Sequence, residues 1–275
     1  MSQIPGSGNS TIGCQQAQSL RELEKLPEHC GRNAFDDEWR KYFGKSISKR
    51  IVGGIATAYG EWPCPNAFYP HLSANPSSWI VRIGEHDMLN ESVEHYDMTV
   101  LHVYIHPKYE SASSSGYDIA LIKLTEPVKL GRYVNIACLP SIGEEVQPGK
   151  ECISVGWGHE VDGAKNISTV LKHVSVPIVP NDQCTMNYAT LRNGPNPIDV
   201  IIERNVICAG YAEGGRDACQ FDSGGPLMCK INKQWIVTGI ISFGYGCGKA
   251  GYPGVYTRVS DYIPWIKGIV EVFTF

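Results

Sequence analysis

Asp217-Ala218-Cys219-Gln220-Phe221-Asp222-Ser223-Gly224-Gly225-Pro226 sets a serine between an acid and two glycines. Glycine lets the backbone turn sharply and lets another chain approach where a Cβ would collide. Ser223 therefore reads as a nucleophile carried on a tight turn. A serine hydroxyl needs a neighbouring base to attack at neutral pH, and the rest of the chain must supply it. On both sides of this turn, short apolar runs alternate with turn residues. Strand-like runs fall at 79–83, 99–105, 119–124, 152–156, 171–178, 206–209, 235–242 and 254–259. That spacing predicts an all-β sandwich or barrel. The exception is the C-terminal end, where Tyr262, Ile263, Trp265, Ile266, Ile269 and Val270 make one apolar helical face. Ser260 or Asp261 is placed to cap that helix.

Composition narrows the functions open to such a chain. Its 275 residues can bury one large core or two modest ones. Net charge is −4 with a pI near 6.1, and the basic residues are scattered rather than gathered into the stripe that nucleic acid requires. The longest apolar runs are strand-length, too short to cross a bilayer. Neither nucleic acid nor membrane is expected as a partner. Ten cysteines point to disulfides formed in an oxidising compartment, and the competing metal reading finds no CxxC pair and no HExxH. The sequons Asn9-Ser10-Thr11, Asn90-Glu91-Ser92 and Asn166-Ile167-Ser168 are compatible with secretion. The first residues are polar, with no hydrophobic signal core; either the true start lies upstream or the product is not exported.

Residues 1–13 are rich in Gly, Ser and Asn and read as disordered. Short helix-compatible pieces follow within residues 20–43, and the arm ends in Lys45-Ser46-Ile47-Ser48-Lys49-Arg50. At Ile51-Val52-Gly53-Gly54 the character changes, so the boundary is placed between an arm of residues 1–50 and a domain of residues 51–275.

From Ile51 onward the chain resembles the trypsin/chymotrypsin-like serine peptidases. Arg50-Ile51-Val52-Gly53-Gly54 looks like that family's zymogen cleavage site, and Asp118-Ile119-Ala120-Leu121 like its catalytic-aspartate strand. Asp222-Ser223-Gly224-Gly225-Pro226 resembles its nucleophile turn. Ser242-Phe243-Gly244 and Gly251-Tyr252-Pro253-Gly254-Val255-Tyr256 resemble the walls of its specificity pocket. The resemblance implies two antiparallel six-stranded β-barrels with a C-terminal helix, and a cleft between the barrels. It implies that cleavage after Arg50 frees the amino group of Ile51 to pair with Asp222, a buried charge pair that reshapes the site. Asp118, with Ser242 beside it, would orient a histidine. Asp217 would form the floor of a pocket for Arg or Lys, and Gly244 and Gly254 would keep that pocket open. The backbone at Phe221 and Ser223 would hold the oxyanion. The family pattern pairs Cys152 with Cys229, Cys184 with Cys208, Cys219 with Cys247 and Cys30 with Cys138. Cys14 and Cys64 are left over. Partners implied are an activating protease and protein or peptide substrates or inhibitors presenting Arg or Lys. The protein is expected to be an extracellular monomer with no cofactor.

Two departures stand out. Between Trp62-Pro63 and Ile80 the family has a strand, a Cys-Gly-Gly hairpin and an Ala-Ala-His-Cys turn, whereas here only residues 64–79 intervene. The first barrel is therefore expected to be incomplete, and the catalytic histidine is missing with the hairpin. His71 lies near the usual spacing before His86 but without the family's neighbours, and reads as a loop histidine. The second departure is Phe221, where the family has glycine. A metal loop is only partly matched, with Glu85 present but Ser92 and His95 at two acidic positions, so no bound metal is expected. Three readings stay open: an active endopeptidase with an unrecognised base, a non-catalytic homologue that binds through its cleft, and an incomplete product with exposed sheet edges.

Overall fold

A computed structural model describes Val52, Ile55–Ala56 and residues 75–90, 94–110, 116–131, 133–192, 198 and 200–271. Among the described residues, ten strands and two α-helices are formed. The strands are β1 (Ile55–Ala56), β2 (Ile80–Ile83), β3 (Tyr96–Ile105), β4 (Ala120–Leu124), β5 (Glu151–Gly156), β6 (Lys172–Val179), β7 (Val206–Ala209), β8 (Pro226–Ile231), β9 (Gln234–Phe243) and β10 (Gly254–Arg258). Helix α1 spans Asn181–Arg192 and α2 spans Ile263–Glu271.

Six strands close a barrel in the order β6-β5-β8-β9-β10-β7. Closure comes from β7, which pairs antiparallel with both β10 and β6. β1 adds to the outside of β6 through Ile55 and His173. The barrel interior is filled by Val174, Val176, Ile207, Leu227 and Tyr256, each at most 3% exposed. The second sheet, β2-β3-β4, has three strands among the described residues and does not close. Its apolar face buries Trp79, Val81, Ile83, Met98 and Val100. The alternation in β2, with Val81 and Ile83 in and Ile80 and Arg82 out, is what a half-buried strand requires.

The architecture is the expected one: mostly β, one closed six-stranded barrel, a second sheet left open and a short C-terminal helix. The start of that helix differs in detail. A 3₁₀ turn, Val259–Tyr262, runs directly into α2, and its N-cap residue is Arg258 with no side-chain cap bond. Ser260 and Asp261 lie inside this turn, Ser260 Oγ without a hydrogen-bond partner and Asp261 facing Arg258 at 3.8 Å. Neither caps the helix.

Three disulfides join Cys152 to Cys229, Cys184 to Cys208 and Cys219 to Cys247, the pairings the resemblance implied. The first ties β5 to β8, the second ties α1 to β7, and the third joins the nucleophile turn to the loop before β10. Such links stabilise by about 2–4 kcal/mol each. Cys138 is also disulfide-bonded. Cys14, Cys30 and Cys64 lie outside the described residues.

Candidate active site

The nucleophile segment is two turns in tandem. Asp222 N–H donates to Cys219 O at 3.0 Å, and Gly225 N–H donates to Asp222 O at 2.9 Å. Each turn has a left-handed residue in third position, Phe221 at φ 74° and Gly224 at φ 82°. Turns of that kind favour glycine there, which is the physical reason a glycine is expected at 221. Phe221 keeps the glycine-like backbone and turns its ring outward, where it is 50% exposed. Ser223 is the second residue of the second turn and is half-buried. β9 anchors the arrangement, since Gly224 donates to Ile241 O and Ile241 donates to Gly225 O, both at 2.8 Å. The turns and this anchor engage the N–H groups of Asp222, Gly224 and Gly225, and leave those of Phe221 and Ser223 outside the bonding.

Asp222, between the turns, is 2% exposed. Its carboxylate accepts from Gly158 N–H at 2.7 Å and Cys219 N–H at 2.9 Å. Burial pushes its pKa up to about 6, although those two N–H bonds pull the other way. The seat is shaped by missing side chains. A Cβ on Gly156 would stand 2.0 Å from the Asp222 carboxylate, and one on Gly158 would stand 2.4 Å from it. Gly158→Ala is therefore expected to destabilise the fold by about 1–3 kcal/mol, whereas Gly268→Ala, in open space on α2, is expected to stabilise by up to about 1 kcal/mol. Urea unfolding of the two variants against the parent measures both.

Beside the turns lies a cleft of about 190 Å³ lined by Asp217, Ser223, Ser242, Gly244 and Gly254 among others. Asp217 is 4% exposed. Its Oδ2 accepts from Gly248 N–H at 3.0 Å, while Oδ1 is buried with no hydrogen-bond partner. Burial raises its pKa to about 7. On the wall, a Cβ at Gly254 would come within 2.7 Å of Asp217 Oδ1, and one at Gly244 within 3.3 Å of Gly246 O. Side chains at either position would narrow the cleft. Asp118 joins the cleft through Ser242, whose Oγ donates to Asp118 Oδ2 at 2.7 Å. Thr257 Oγ1 donates to the Asp118 carbonyl, also at 2.7 Å.

Of the residues singled out in the sequence, Asp217, Ser223, Ser242, Gly244 and Gly254 share this one cleft. Asp118 touches its rim residue, Asp222 lies behind the nucleophile, and Phe221 stands outside the cleft lining. Arg50, Ile51 and His71 lie outside the described residues. The neighbouring Val52 is placed: its carbonyl accepts from Asp217 N–H at 3.1 Å. Sequence reading passed over Gly156, Gly158 and Gly248. The first two flank Trp157, and a glycine pair around an aromatic residue was the signal that something packs closely there. It also passed over His159, whose ring packs against Phe221 with centroids 4.8 Å apart. Glu85, read as a remnant of a metal loop, is buried and paired with Arg82 at 3.4 Å. Its Oε1 accepts from His86 N–H at 2.8 Å.

This arrangement is that of a serine protease domain. The family model of the trypsins matches residues 70–266. The chain is 32% identical over 273 residues to vitamin K-dependent protein C of Oryctolagus cuniculus, covering 96% of this chain and 56% of that protein. It is 31% identical over 250 residues to transmembrane protease serine 7 of Rattus norvegicus, covering 80% of this chain and 28% of that one. The chain belongs to the trypsin family of serine proteases. It spans about half the length of the first relative and little more than a quarter of the second.

Proposed function

We propose that this chain is the trypsin-like domain of an extracellular zymogen that recognises Arg or Lys side chains of proteins and peptides, and that its turnover is impaired for want of the family's histidine segment. The observation that carries the recognition is Asp217. It is a buried acid with one oxygen held by Gly248 and the other unpaired, at the floor of a cleft with glycine walls. An unpaired buried carboxylate is unfavourable, and a guanidinium or ammonium entering the cleft would supply the missing charge-assisted bonds. Residues 1–50 act as a propeptide arm that an activating protease severs by cutting after Arg50, and pairing of Cys30 with Cys138 keeps the severed arm tethered to the body. The freed amino group of Ile51 then reaches Asp222, a reading supported by Val52 lying against Asp217 and by the buried acid behind Ser223. In the reaction, Ser223 is the nucleophile, Asp118 orients the base, and the N–H groups of Phe221 and Ser223 hold the oxyanion. The disulfides support an oxidising, extracellular location.

One observation favours an active enzyme as the second reading. Ser242 and Asp118 are already hydrogen-bonded beside the cleft, as a site that orients an imidazole needs. A fluorophosphonate probe on the chain cleaved after Arg50 separates the two. Rapid labelling of Ser223 overturns impairment. Benzamidine binding without labelling supports a cleft that recognises but does not cut.

The pKa of Asp217 makes recognition pH-dependent. A folded-state pKa near 7, above the ordinary carboxylate value, means that ligand-free stability is fully present below about pH 4 and is lost as pH rises through 7. A bound cation favours the ionised acid and releases its proton. Benzamidine affinity is expected to rise about tenfold per pH unit below 7 and to level off above it. Calorimetry in buffers of different ionisation enthalpy measures the proton released, and a flat profile would count against the floor acid.

A further inference from the structure

Between β5 and β6 the chain makes an excursion that the cleft chemistry leaves unused. Residues 160–166 form a loop pinned at its base by the antiparallel bridge between His159 and Ile167. Within it a turn is closed by Ala164 N–H, which donates to Val161 O at 3.0 Å. The loop leads into Asn166-Ile167-Ser168, the pattern that accepts an N-linked oligosaccharide. Of the three sequons, this one lies wholly within the described residues. Asn166 is exposed, whereas Ser168 is 4% exposed. Ser168 Oγ donates to Val170 O at 2.7 Å, and its N–H donates to Trp157 O at 2.9 Å. A transferase reads the Ser168 hydroxyl before the chain folds, so its later burial is no obstacle. What the fold must leave open is the way out from Asn166, and it does. The same stretch also leaves two large apolar side chains in solvent, Val161 and Ile167, and a bulky, solubilising group placed here would offset that exposure.

The loop is strapped to the cleft. Gln220 Nε2 donates to Asp162 Oδ1 at 3.3 Å, and His159 N–H donates to Gln220 O at 2.9 Å. Lys249 Nζ lies 3.7 Å from Asp162 Oδ2. Gln220 lines the cleft, so Asn166 belongs to the same short excursion as a side chain that holds the cleft wall. We propose that Asn166 carries an N-linked oligosaccharide, which stands at the rim of the cleft and restricts large folded partners while admitting small ligands. The inference rests on the extracellular reading and, for its second half, on the Asp217 cleft. The donor is an oligosaccharide linked to a lipid pyrophosphate. Asn166 Nδ2 bonds to C1 of the first sugar, the lipid pyrophosphate leaves, and one amide proton is lost. A small cation in the cleft does not meet this sugar. A folded inhibitor seated over the cleft must displace or order it, and ordering costs binding energy.

The test uses the full chain, exported by a eukaryotic host behind an added leader and then cleaved after Arg50. Peptide N-glycosidase F in heavy-oxygen water releases the sugar and leaves a labelled Asp, so mass spectrometry of the peptide holding residue 166 reads occupancy. Asn166 is expected to be modified in most molecules, and Asn166→Gln to carry no label. Aprotinin, a folded inhibitor that presents a lysine, is expected to bind Asn166→Gln about tenfold more tightly than the parent. Fluorescence of p-aminobenzamidine is expected to show equal binding to both. Enzymatic removal of the sugar from the folded parent is expected to give the same gain, which separates it from any effect of the substitution on folding. A bare Asn166 in the exported chain overturns the site, and equal aprotinin affinities with Asn166 modified overturn the size restriction. A chain retained in the cell counts against the extracellular reading, and loss of both aprotinin and p-aminobenzamidine binding counts against the cleft; each removes the half of the proposal built on it.

Discussion

Supplying an imidazole beside Asp118 and Ser223 is expected to raise hydrolysis of an arginine ester by this chain on the order of 10⁶-fold. A serine hydroxyl does not attack without a base, and the base must also return the proton to the leaving group. On the reading proposed above, Asp118, Ser223 and the oxyanion N–H groups supply the other elements. Asp118 accepts from Ser242 beside the cleft, Ser223 stands on its turn, and the turns leave two N–H groups outside their own bonding. On the impaired reading proposed above, what the chain lacks relative to the family is the hairpin and Ala-Ala-His-Cys turn between Pro63 and Ile80. Inserting such a segment in place of residues 64–79 tests the point, with kcat/KM on an arginine ester and fluorophosphonate labelling as readouts. The inserted strand also covers an edge of the open β2-β3-β4 sheet, so soluble yield is expected to rise with it. Strong labelling of the unaltered chain, abolished by His71→Ala, would show that His71 already serves as base.

Asp217→Asn is expected to weaken benzamidine and arginine-peptide binding by at least about 10²-fold. The substitution keeps the shape of the floor and an acceptor for Gly248 N–H, and removes the charge that pairs with the ligand. A second effect has the opposite sign. Burial holds the Asp217 carboxyl near 7, so above that pH the ligand-free fold carries an ionised acid without a cation. The neutral amide carries no such charge, and the variant is expected to unfold at higher temperature than the parent at pH 8 and by a clearly smaller margin at pH 5. Thermal melts at the two pH values, alongside a benzamidine titration, measure both effects. A variant that binds benzamidine as the parent does would show that the ligand sits elsewhere.

The strands readable as apolar runs formed close to where their residues place them, because a pleated, half-buried surface selects β-branched and aromatic side chains. β7 matches its run residue for residue. β8 was not legible: it opens on Pro226 and carries Cys229 and Lys230, so its apolar signal is short. Its place comes from β5 and β9 on either side. Helix α1 was missed for a related reason. Only Cys184, Tyr188 and Leu191 are buried on it, and the Cys184–Cys208 bond with the Tyr188 hydroxyl, which donates to Pro253 O at 2.8 Å, holds a helix whose own periodicity is weak. Phe221 was legible as an anomaly but not as a conformation. The residue type told of a missing glycine, while the outward ring and the His159 contact depend on how two distant loops meet.

Residue types and their order were enough to specify an all-β chain with a serine on a glycine turn, an acid before it and another upstream. Turn geometry and strand pairing are local constraints, written into short stretches of side chains. Only the folded chain decided that Asp217 is buried with one oxygen unpaired, that Gly156 and Gly158 make the seat of Asp222, and that Phe221 leaves the cleft clear. Those properties are distances between segments far apart in the chain, and they arise from closing the barrel. Burial turns an ordinary aspartate into an acid that titrates near 7.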